Sequence, residues 1–513
     1  MQRVQVKKNS YYDSVTLMLI SRDVKKLPGV TEVMVGMGTD LNLELTEKLG
    51  IQSPELAGLT SNDFFIAAEV ESQEVMDEVI AKVEELLTKK NDATANDYRP
   101  SSLGGAVETM EGLNMAVISV AGKYAAAEAH QALDKGLHVM MFSDNVSVED
   151  ERKLKEKAVE KGLLMMGPDC GTAIINGVAL AFANVIKRGN IGIVGASGTG
   201  TQEVSVLIDK LGGGVSQVIG TGGRDLKEDI GGLMMIQSFE ALVEDPATSV
   251  IVLISKPPAE SVAAKIYDMV KTCPKPVVVD FIGADPQPIR QAGGFPCVNL
   301  EHAAQQAVAL SRGQTPQEYE TLDDSWQAKA RELGAKLKPE QQYLLGLYTG
   351  GTLADEAIKL LMDQLGGIYS NIAFDKEHQM DDLNNFARHV VLDLGDDRFT
   401  EGRPHPMIDP LTRSERFETD VTPETAVILF DCVLGYGAHE DPAAEVALAL
   451  TDVKAKLQAQ GLDMVAVGSI CGTEADPQDL QKSQQVLEEA GAVILLSNAK
   501  AVEFAGLILG SRR

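Results

Sequence analysis

Two turns in this chain combine glycines with hydroxyl residues where an aliphatic run gives way to a helical pattern. In IGIVGASGTGTQEVSVLIDKLGG, Gly195, Ser197, Gly198, Thr199 and Gly200 lie between a strand and a helix that starts near Thr201. In LLGLYTGGTLADEAIKLLMDQLGG, Thr349, Gly350, Gly351 and Thr352 occupy the corresponding place. Glycines admit a ligand close to the backbone, hydroxyls add donors, and the unbonded N–H groups at the positive end of a helix favour an anion. Each turn is a candidate cradle for a phosphate or carboxylate, beside the plainer reading in which strand-to-helix turns use Gly and Ser/Thr for tightness and capping. Two turns of similar form weigh toward the cradle. Neither continues into Gly-Lys-Ser/Thr, and neither is a GxGxxG followed by an acidic residue about 20 positions on, so kinase and dinucleotide dehydrogenase chemistry are weak readings.

Other chemistry-bearing residues follow apolar runs, at the strand ends where open α/β sheets bind ligands. GTGGRDLKED offers Arg224 as a bidentate clamp for an anion, or as a surface arginine paired with Asp225 or Asp229. GPDCGT carries Cys170, a nucleophile or, as its lack of a nearby His favours, a buried small residue. The stretch DLGDDRFTEGRPHPMIDPLTR crowds Asp393, Asp396, Asp397, Arg398, Arg403, His405 and Asp409 into one loop. Arg403 and His405 form the candidate catalytic pair, the guanidinium to hold a carboxylate or polarise a carbonyl and the imidazole to act as acid or base near neutral pH. The alternative is a proline-stiffened loop contacting a partner subunit. His439 in GYGAHEDP is either part of a helix cap with Glu440 and Asp441 or a site residue. Asp396 and Asp397 make Mg2+ a candidate ligand, yet among 75 acidic residues adjacent pairs arise by chance, and the metal stays unassigned.

The elements that must position these residues are aliphatic. The chain has 513 residues, 44% of them hydrophobic, with 47 Gly and only 13 Phe, 10 Tyr and 1 Trp, which predicts several domains of aliphatic elements joined by glycine-rich turns. A net charge of −29 and the lack of any Lys/Arg stripe exclude nucleic-acid binding. Five scattered cysteines with no CxxC spacing point to reduced thiols. The start MQRVQVKKNSYYDS has no apolar h-region, and no run reaches 18 apolar residues, so the expectation is a cytoplasmic protein with no membrane span. Residues 1–100 read as a small α+β domain: RVQVKK, a helix opened by Asp13 as N-cap, EVMVGM, a short helix near Leu43 to Leu49, DFFIAAEV and QEVMDEVIAKVEELL. KKNDATANDYRPSSLGG is a linker. Strands and helices then alternate, as in parallel sheets covered on both faces. Strands NMAVISV, HVMMFS and LLMMGP fall in 106–188; IGIVGA, SQVIGTG, SVIVLIS and KPVVVDFIG in 189–312. A polar, largely helical bridge occupies 313–342, and LLGLYTG, HVVLDLG, TAVILFD, DMVAVGS and AVILLS fall in 343–513.

GPDCGT, RGNIGIVGASGTGTQE, IGTGGRD, EDPATSVIVLIS and TGGTLADEA resemble the α subunit of succinyl-CoA synthetase followed by the carboxyl-terminal domain of its β subunit, fused in one chain. Closer still, YDSVTLMLIS, VISVAGKYAAAEA, MFSDNVSVEDE, LLMMGPDCGTAIINGVAL, HPMIDP and LGYGAHEDP resemble FdrA proteins, including the YahF-type branch, along essentially the whole chain. The resemblance implies an α/β fold of three Rossmann or flavodoxin-like doubly wound parallel-sheet modules behind the α+β domain, the first of them CoA-binding-like. In succinyl-CoA synthetase two helix N-termini cradle the phosphate of a phosphohistidine. By resemblance Ser197, Gly198 and Thr199 fall on the first cradle and Gly350, Gly351 and Thr352 on the second. Ser119, Gly122 and Lys123 fall where CoA would be touched, so CoA is a candidate cofactor, or the pocket is an emptied scaffold. The histidine is missing: FIGADPQPIRQAGGFPCVNLEHAA has no Gly-His-Ala-Gly and only His302, expected in a helix as an exposed or capping residue. FdrA proteins look like one subunit of a heteromeric oxamate carbamoyltransferase, which converts carbamoyl phosphate and oxamate to oxalurate and phosphate. The function implied is that transferase, acting with partner subunits in an oligomer. The alternatives are an acyl-CoA synthetase and a non-catalytic binding or regulatory subunit.

Overall fold

The computed structural model describes residues 1–512 except 9, 11, 13, 90–99, 101, 385–387 and 402. The expected N-cap Asp13 and most of the expected linker lie outside the described residues. The chain forms two compact units, one of Met1–Leu113, Ser119–Tyr124 and Thr400–Pro404, the other of Asn114–Ile118, Ala125–Phe399 and His405–Arg513.

In the first unit β1 (Gln2–Lys7), α1 (Ser14–Lys25), β2 (Val30–Met37), α2 (Asp40–Lys48), β3 (Phe64–Val70) and α3 (Gln73–Lys89) precede a short α4 (Leu103–Thr109). The sheet is antiparallel in the order β1-β3-β2. Apolar residues recur three and four apart on α1 (Leu17, Ile20, Val24) and α3 (Met76, Val79, Val83, Leu87), and these side chains are buried in one core with Val33, Val35, Phe64 and Ile66 of the sheet.

Among the described residues the second unit contains three sheets. β4 (Met115–Ile118), β5 (His138–Met141) and β6 (Met165–Met166) form a small parallel sheet with α5 (Gly122–Asp134) and α6 (Val148–Lys161) as its crossovers. The second sheet has the order β13-β12-β11-β9-β10-β7-β8. It comprises β7 (Thr172–Ile175), β8 (Val178–Ala181), β9 (Arg188–Gly195), β10 (Val215–Gly220), β11 (Val250–Ser255), β12 (Val277–Phe281) and β13 (Phe295–Pro296), with helices α7 (Gly198–Lys210), α8 (Leu233–Glu244), α9 (Glu260–Thr272), α10 (Pro286–Gln291) and α11 (Leu300–Ser311). The β7–β8 hairpin, which follows GPDCGT, joins this sheet antiparallel to β10, across the boundary expected at residue 188. The bridge contributes α12 (Asp324–Gly334).

The third sheet, β15-β14-β16-β17-β18, is parallel throughout. Its elements are β14 (Tyr343–Tyr348), α13 (Gly351–Leu365), β15 (Val390–Asp393), α14 (Asp397–Thr400), α15 (Leu411–Asp420), β16 (Thr425–Val433), α16 (Pro442–Gln458), β17 (Val465–Cys471), α17 (Leu480–Glu489), β18 (Ala492–Leu495) and α18 (Asn498–Gly510). Numbered along the chain, β14 to β18 have the order 2-1-3-4-5, and β9 to β13 repeat it, which is the flavodoxin-like order. In each sheet the first strand lies between the second and third, so the turn after β9 and the turn after β14 both sit at a topological switch point.

Buried side chains of α7, α11, α13 and α18 form one core shared by these two modules, among them Val204, Leu207, Ala304, Leu353, Ala357, Val502 and Ile508. Two buried glutamates tie the modules reciprocally. Glu203 of α7 accepts the N–H of Asn498 at the start of α18 at 2.9 Å, and Glu356 of α13 accepts the N–H of Leu300 at the start of α11 at 2.8 Å. The first helix of each module thus caps the last helix of the other.

Candidate functional site

The shared core brings the two glycine turns together. Ser197 Oγ and Thr352 Oγ1 are 2.6 Å apart. The fit is close enough to require glycine on both sides: a Cβ on Gly200 would lie 2.8 Å from Thr352 Cγ2, and one on Gly350 would lie 2.8 Å from Thr199 Cγ2. Ser197 N-caps α7 by accepting the Gly200 N–H at 3.1 Å. In the second turn the buried carboxylate of Asp431, at the end of β16, accepts the N–H groups of Thr349 and Gly350 at 2.9 and 2.8 Å, and Arg413 holds that carboxylate at 3.1 Å. Gly350 is therefore a close-approach position rather than an anion donor. Among the described residues, the first-turn amides of Gly198, Thr199, Gly351 and Thr352 meet no protein acceptor. Gly198 and Gly351 are half-buried, while Ser197, Thr199, Gly350 and Thr352 are buried. The two glycines differ in surroundings: a Cβ on Gly198 would meet nothing closer than 3.9 Å, whereas one on Gly351 would lie 2.4 Å from Asp393 Oδ2.

A continuous set of contacts surrounds this junction. Gly171 of GPDCGT approaches Gly198, and Phe182 donates its N–H to the Gly171 carbonyl at 2.9 Å. The Phe182 ring lies 5.5 Å from the His405 ring. His405 Nε2 faces Gly395, whose N–H donates to Asp393 Oδ1 at 2.9 Å, and Asp393 returns to Gly351. Burial disfavours ionisation of Asp393 and pushes its carboxyl up to about 7. Lys256 directly follows β11, beside β9 at the first switch point, and its ammonium pairs with Asp355 of α13 at 2.7 Å. Burial opposes the charge of Lys256, but the Asp355 carboxylate, with Asp393 and Asp396 beyond it, holds its pKa above the ordinary lysine value.

The expected site residues fare differently. His405 joins the junction, but its protein surroundings penalise the imidazolium and lower its pKa to about 4, so it is neutral at neutral pH and does not titrate there as expected. Its Nδ1 accepts the Met407 N–H at 3.2 Å. Arg224 pairs with neither Asp225 nor Asp229: it binds Glu151 at 2.8 Å and the Val146 carbonyl at 2.8 Å, while Asp225 binds the buried Lys155. Arg403, Ser119, Gly122 and Lys123 belong to the first unit. There Arg403 donates its N–H to the Thr400 carbonyl at 3.0 Å, Gly122 opens α5, and Lys123 lies over the Tyr124 ring at 5.1 Å. His302 is buried rather than exposed, with Nδ1 accepting the Val298 N–H at 3.4 Å and Nε2 3.0 Å from the Gln317 carbonyl. Asp441 caps α16, and His439 Nδ1 accepts its N–H at 3.2 Å. Cys170 is buried, its thiol pushed up to about 12.

Among the described residues no group of three or more His, Cys, Asp or Glu is arranged to hold a metal ion. Asp396, half of the pair considered for Mg2+, is bound to Arg398 at 3.0 Å. Among the described residues no helix is long and apolar enough to cross a membrane. A cavity of about 580 Å3 lies elsewhere, at the start of β14, lined by Arg331, Tyr343, His389 and Arg512. The C-terminal ends of α12, α13 and α18 converge on it, and Arg512 donates to carbonyls at the end of α12. Lys256, Asp431 and the reciprocal glutamates were not found from sequence. Their roles depend on which strands are neighbours, and no spacing along the chain carries that.

Residues 1–101 match the family model described as the AllF heavy metal-associated domain, residues 186–283 match a CoA binding domain, and residues 347–508 match a CoA-ligase. The first segment contains no Cys and no His, the ligand types that hold soft metals. YahF of Escherichia coli K12 is 46% identical over 497 residues, 97% of this chain and 96% of YahF. The α 2 subunit of succinate–CoA ligase from Archaeoglobus fulgidus is 29% identical over 223 residues, 41% of this chain and 75% of that subunit. The α subunit from Aquifex aeolicus is 30% identical over 190 residues, 36% of this chain and 60% of that subunit. Both glycine turns fall within the matched segments, and the likeness to YahF runs nearly end to end: the chain belongs to the FdrA/YahF family of acyl-CoA synthetase-like proteins.

Proposed function

We propose that this chain handles an acyl phosphate in an acid–thiol ligase reaction, with the phosphate held jointly by the N-termini of α7 and α13. The observation that carries the reading is the Ser197–Thr352 pair, which joins the free first-turn amides of two helices inside the segments similar to CoA-binding and CoA-ligase domains. As an acceptor attacks the acyl carbon, the bond from that carbon to the phosphate oxygen breaks, and charge grows on the departing phosphate. The amides of Gly198, Thr199, Gly351 and Thr352 stabilise that charge without reorganising. Asp393, with a carboxyl near 7 beside Gly351, takes the proton the acceptor gives up. CoA, when bound, supplies a thiol as acyl acceptor. Ser119, exposed before α5, and Lys123 in its first turn suit a CoA phosphate, with Gly122 opening that helix.

Carbamoyl transfer to oxamate is the second reading, favoured by His302. Both its ring nitrogens are engaged by Val298 and Gln317, which leaves no histidine relay there, and direct transfer from carbamoyl phosphate needs none. Under the ligase reading nucleotide chemistry comes from partner subunits, since neither glycine turn is a nucleotide loop, whereas carbamoyl transfer needs none; the five free cysteines suit a reducing cytosol under both.

The test is phosphate release by the chain purified together with its natural partner subunits. Acetyl phosphate or carbamoyl phosphate is offered with CoA or with oxamate. Phosphate release with formation of an acyl-CoA supports the ligase reading, and Gly198→Val should lower it by about two orders of magnitude. Release only from carbamoyl phosphate with oxamate would transfer the assignment to the second reading, and release with neither acceptor would refute both.

A further inference from the structure

We infer that Lys256 is an anion-binding residue of the joint cradle, exchanging its partner Asp355 for the phosphate of the bound substrate. The inference rests on the acyl phosphate reading and adds a residue that neither the glycine turns nor the carboxyl-loop residues supply.

Lys256 is placed by both modules at once. Its backbone leaves β11 at the switch point, where Ile254 pairs with Gly195 and accepts the Ala196 N–H at 2.9 Å, immediately before the first cradle. Its ammonium reaches Asp355, one helical turn beyond Gly351 on α13, and lies within the field of Asp393, which borders Gly351 itself. One side chain therefore spans from the base of the first turn to the flank of the second. The Lys256 side chain keeps 44% of its surface exposed while the Asp355 side chain keeps 2%. The buried partner is fixed on the helix, while the cation keeps much of its surface in solvent and is open to a second anion.

The charge balance gives this lysine a task. Asp393 and Asp396 lie in the field of Lys256, Arg398 and Arg224 are committed to Asp396 and Glu151, and Lys227 acts on Asp355 more weakly than Lys256 does. A dianionic phosphate entering beside these carboxylates needs a cation that can turn toward it, and a flexible ammonium with three donors does so without leaving its place. Asp355 holds Lys256 in the resting chain and gives it up when a stronger anion arrives.

The experiment uses sulfate, a dianion of constant charge near neutral pH, with binding read by calorimetry on the full chain. Hydrogen exchange locates it at the first turns of α7 and α13. Lys256→Gln should weaken sulfate binding about tenfold or more, and Lys256→Arg should retain most of it. Asp355→Asn should tighten it several-fold by releasing the lysine, and the double variant should bind as Lys256→Gln does. Melting temperatures verify that each variant folds. If Lys256 is only an interface tie, Asp355→Asn and Lys256→Gln will shift melting alike and leave sulfate affinity unchanged, which overturns the inference. Wild-type protein that shows no sulfate protection at either turn overturns the cradle and this inference together, whereas protection indifferent to Lys256→Gln overturns this inference alone.

Discussion

At the scale of single residues, the junction sorts its ionisable groups by surroundings. His405, the acid–base candidate by residue type, is held neutral, while Asp393, one of many acidic residues in sequence, is lifted to about 7. Its sign of action follows from position: below that value the carboxyl is neutral beside Gly351, and above it an anion faces the cradle. Sulfate affinity should fall about three- to tenfold as pH rises from 6 to 8, the scale of one like charge at short range in a partly screened site. Asp393→Asn should bind sulfate with little dependence on pH over that range, and His405→Gln should keep the wild-type dependence. A pH-independent wild type would contradict the role given to Asp393. Both glycine turns were legible in the sequence because their residue types and spacing are local. Asp393 was legible only as a member of a crowded loop, because its burial depends on the sheet to which β15 belongs.

At the scale of elements, the reciprocal glutamates hold α7 and α13 in register. Glu356 accepts from Leu300 and, at 2.8 Å, from the Asn498 side chain, and burial lifts its carboxyl to about 8. Glu356→Ala leaves two buried donors without acceptors and should cost about 2–4 kcal/mol in denaturant unfolding. Because Glu356 is protonated in the folded chain and ionised in the unfolded chain between its ordinary carboxylate range and about 8, its contribution is complete at low pH and declines as pH rises through that window. Glu356→Gln should flatten that decline, and a Glu356→Ala chain as stable as wild type would refute the capping role. The strands of both flavodoxin-like modules were legible as aliphatic runs. The two-residue β13 is too short to show periodicity, and chain order, which groups the β7–β8 hairpin with the preceding module, does not reveal which sheet an edge hairpin joins.

At the scale of the whole chain, one strand order repeated in two modules makes a single site from two turns separated by about 150 residues. Neither turn has the full set of donors alone, since Asp431 occupies the Thr349 and Gly350 amides of the second and the Ser197 hydroxyl oxygen takes the Gly200 amide of the first. The resemblance to succinyl-CoA synthetase conveys the pairing of the turns, whereas the contact through Ser197 and Thr352 depends on the core shared by α7, α11, α13 and α18. The central claim is that α7 and α13 form one anion site, and the most direct measurement is hydrogen exchange at their first turns during a titration with inorganic phosphate. The account predicts that peptides covering Gly198 and Gly351 gain protection together with one midpoint, and that Gly198→Val, which has room for its side chain, abolishes protection of both. Separate midpoints, or undiminished protection of the Gly351 peptide in Gly198→Val, would contradict it.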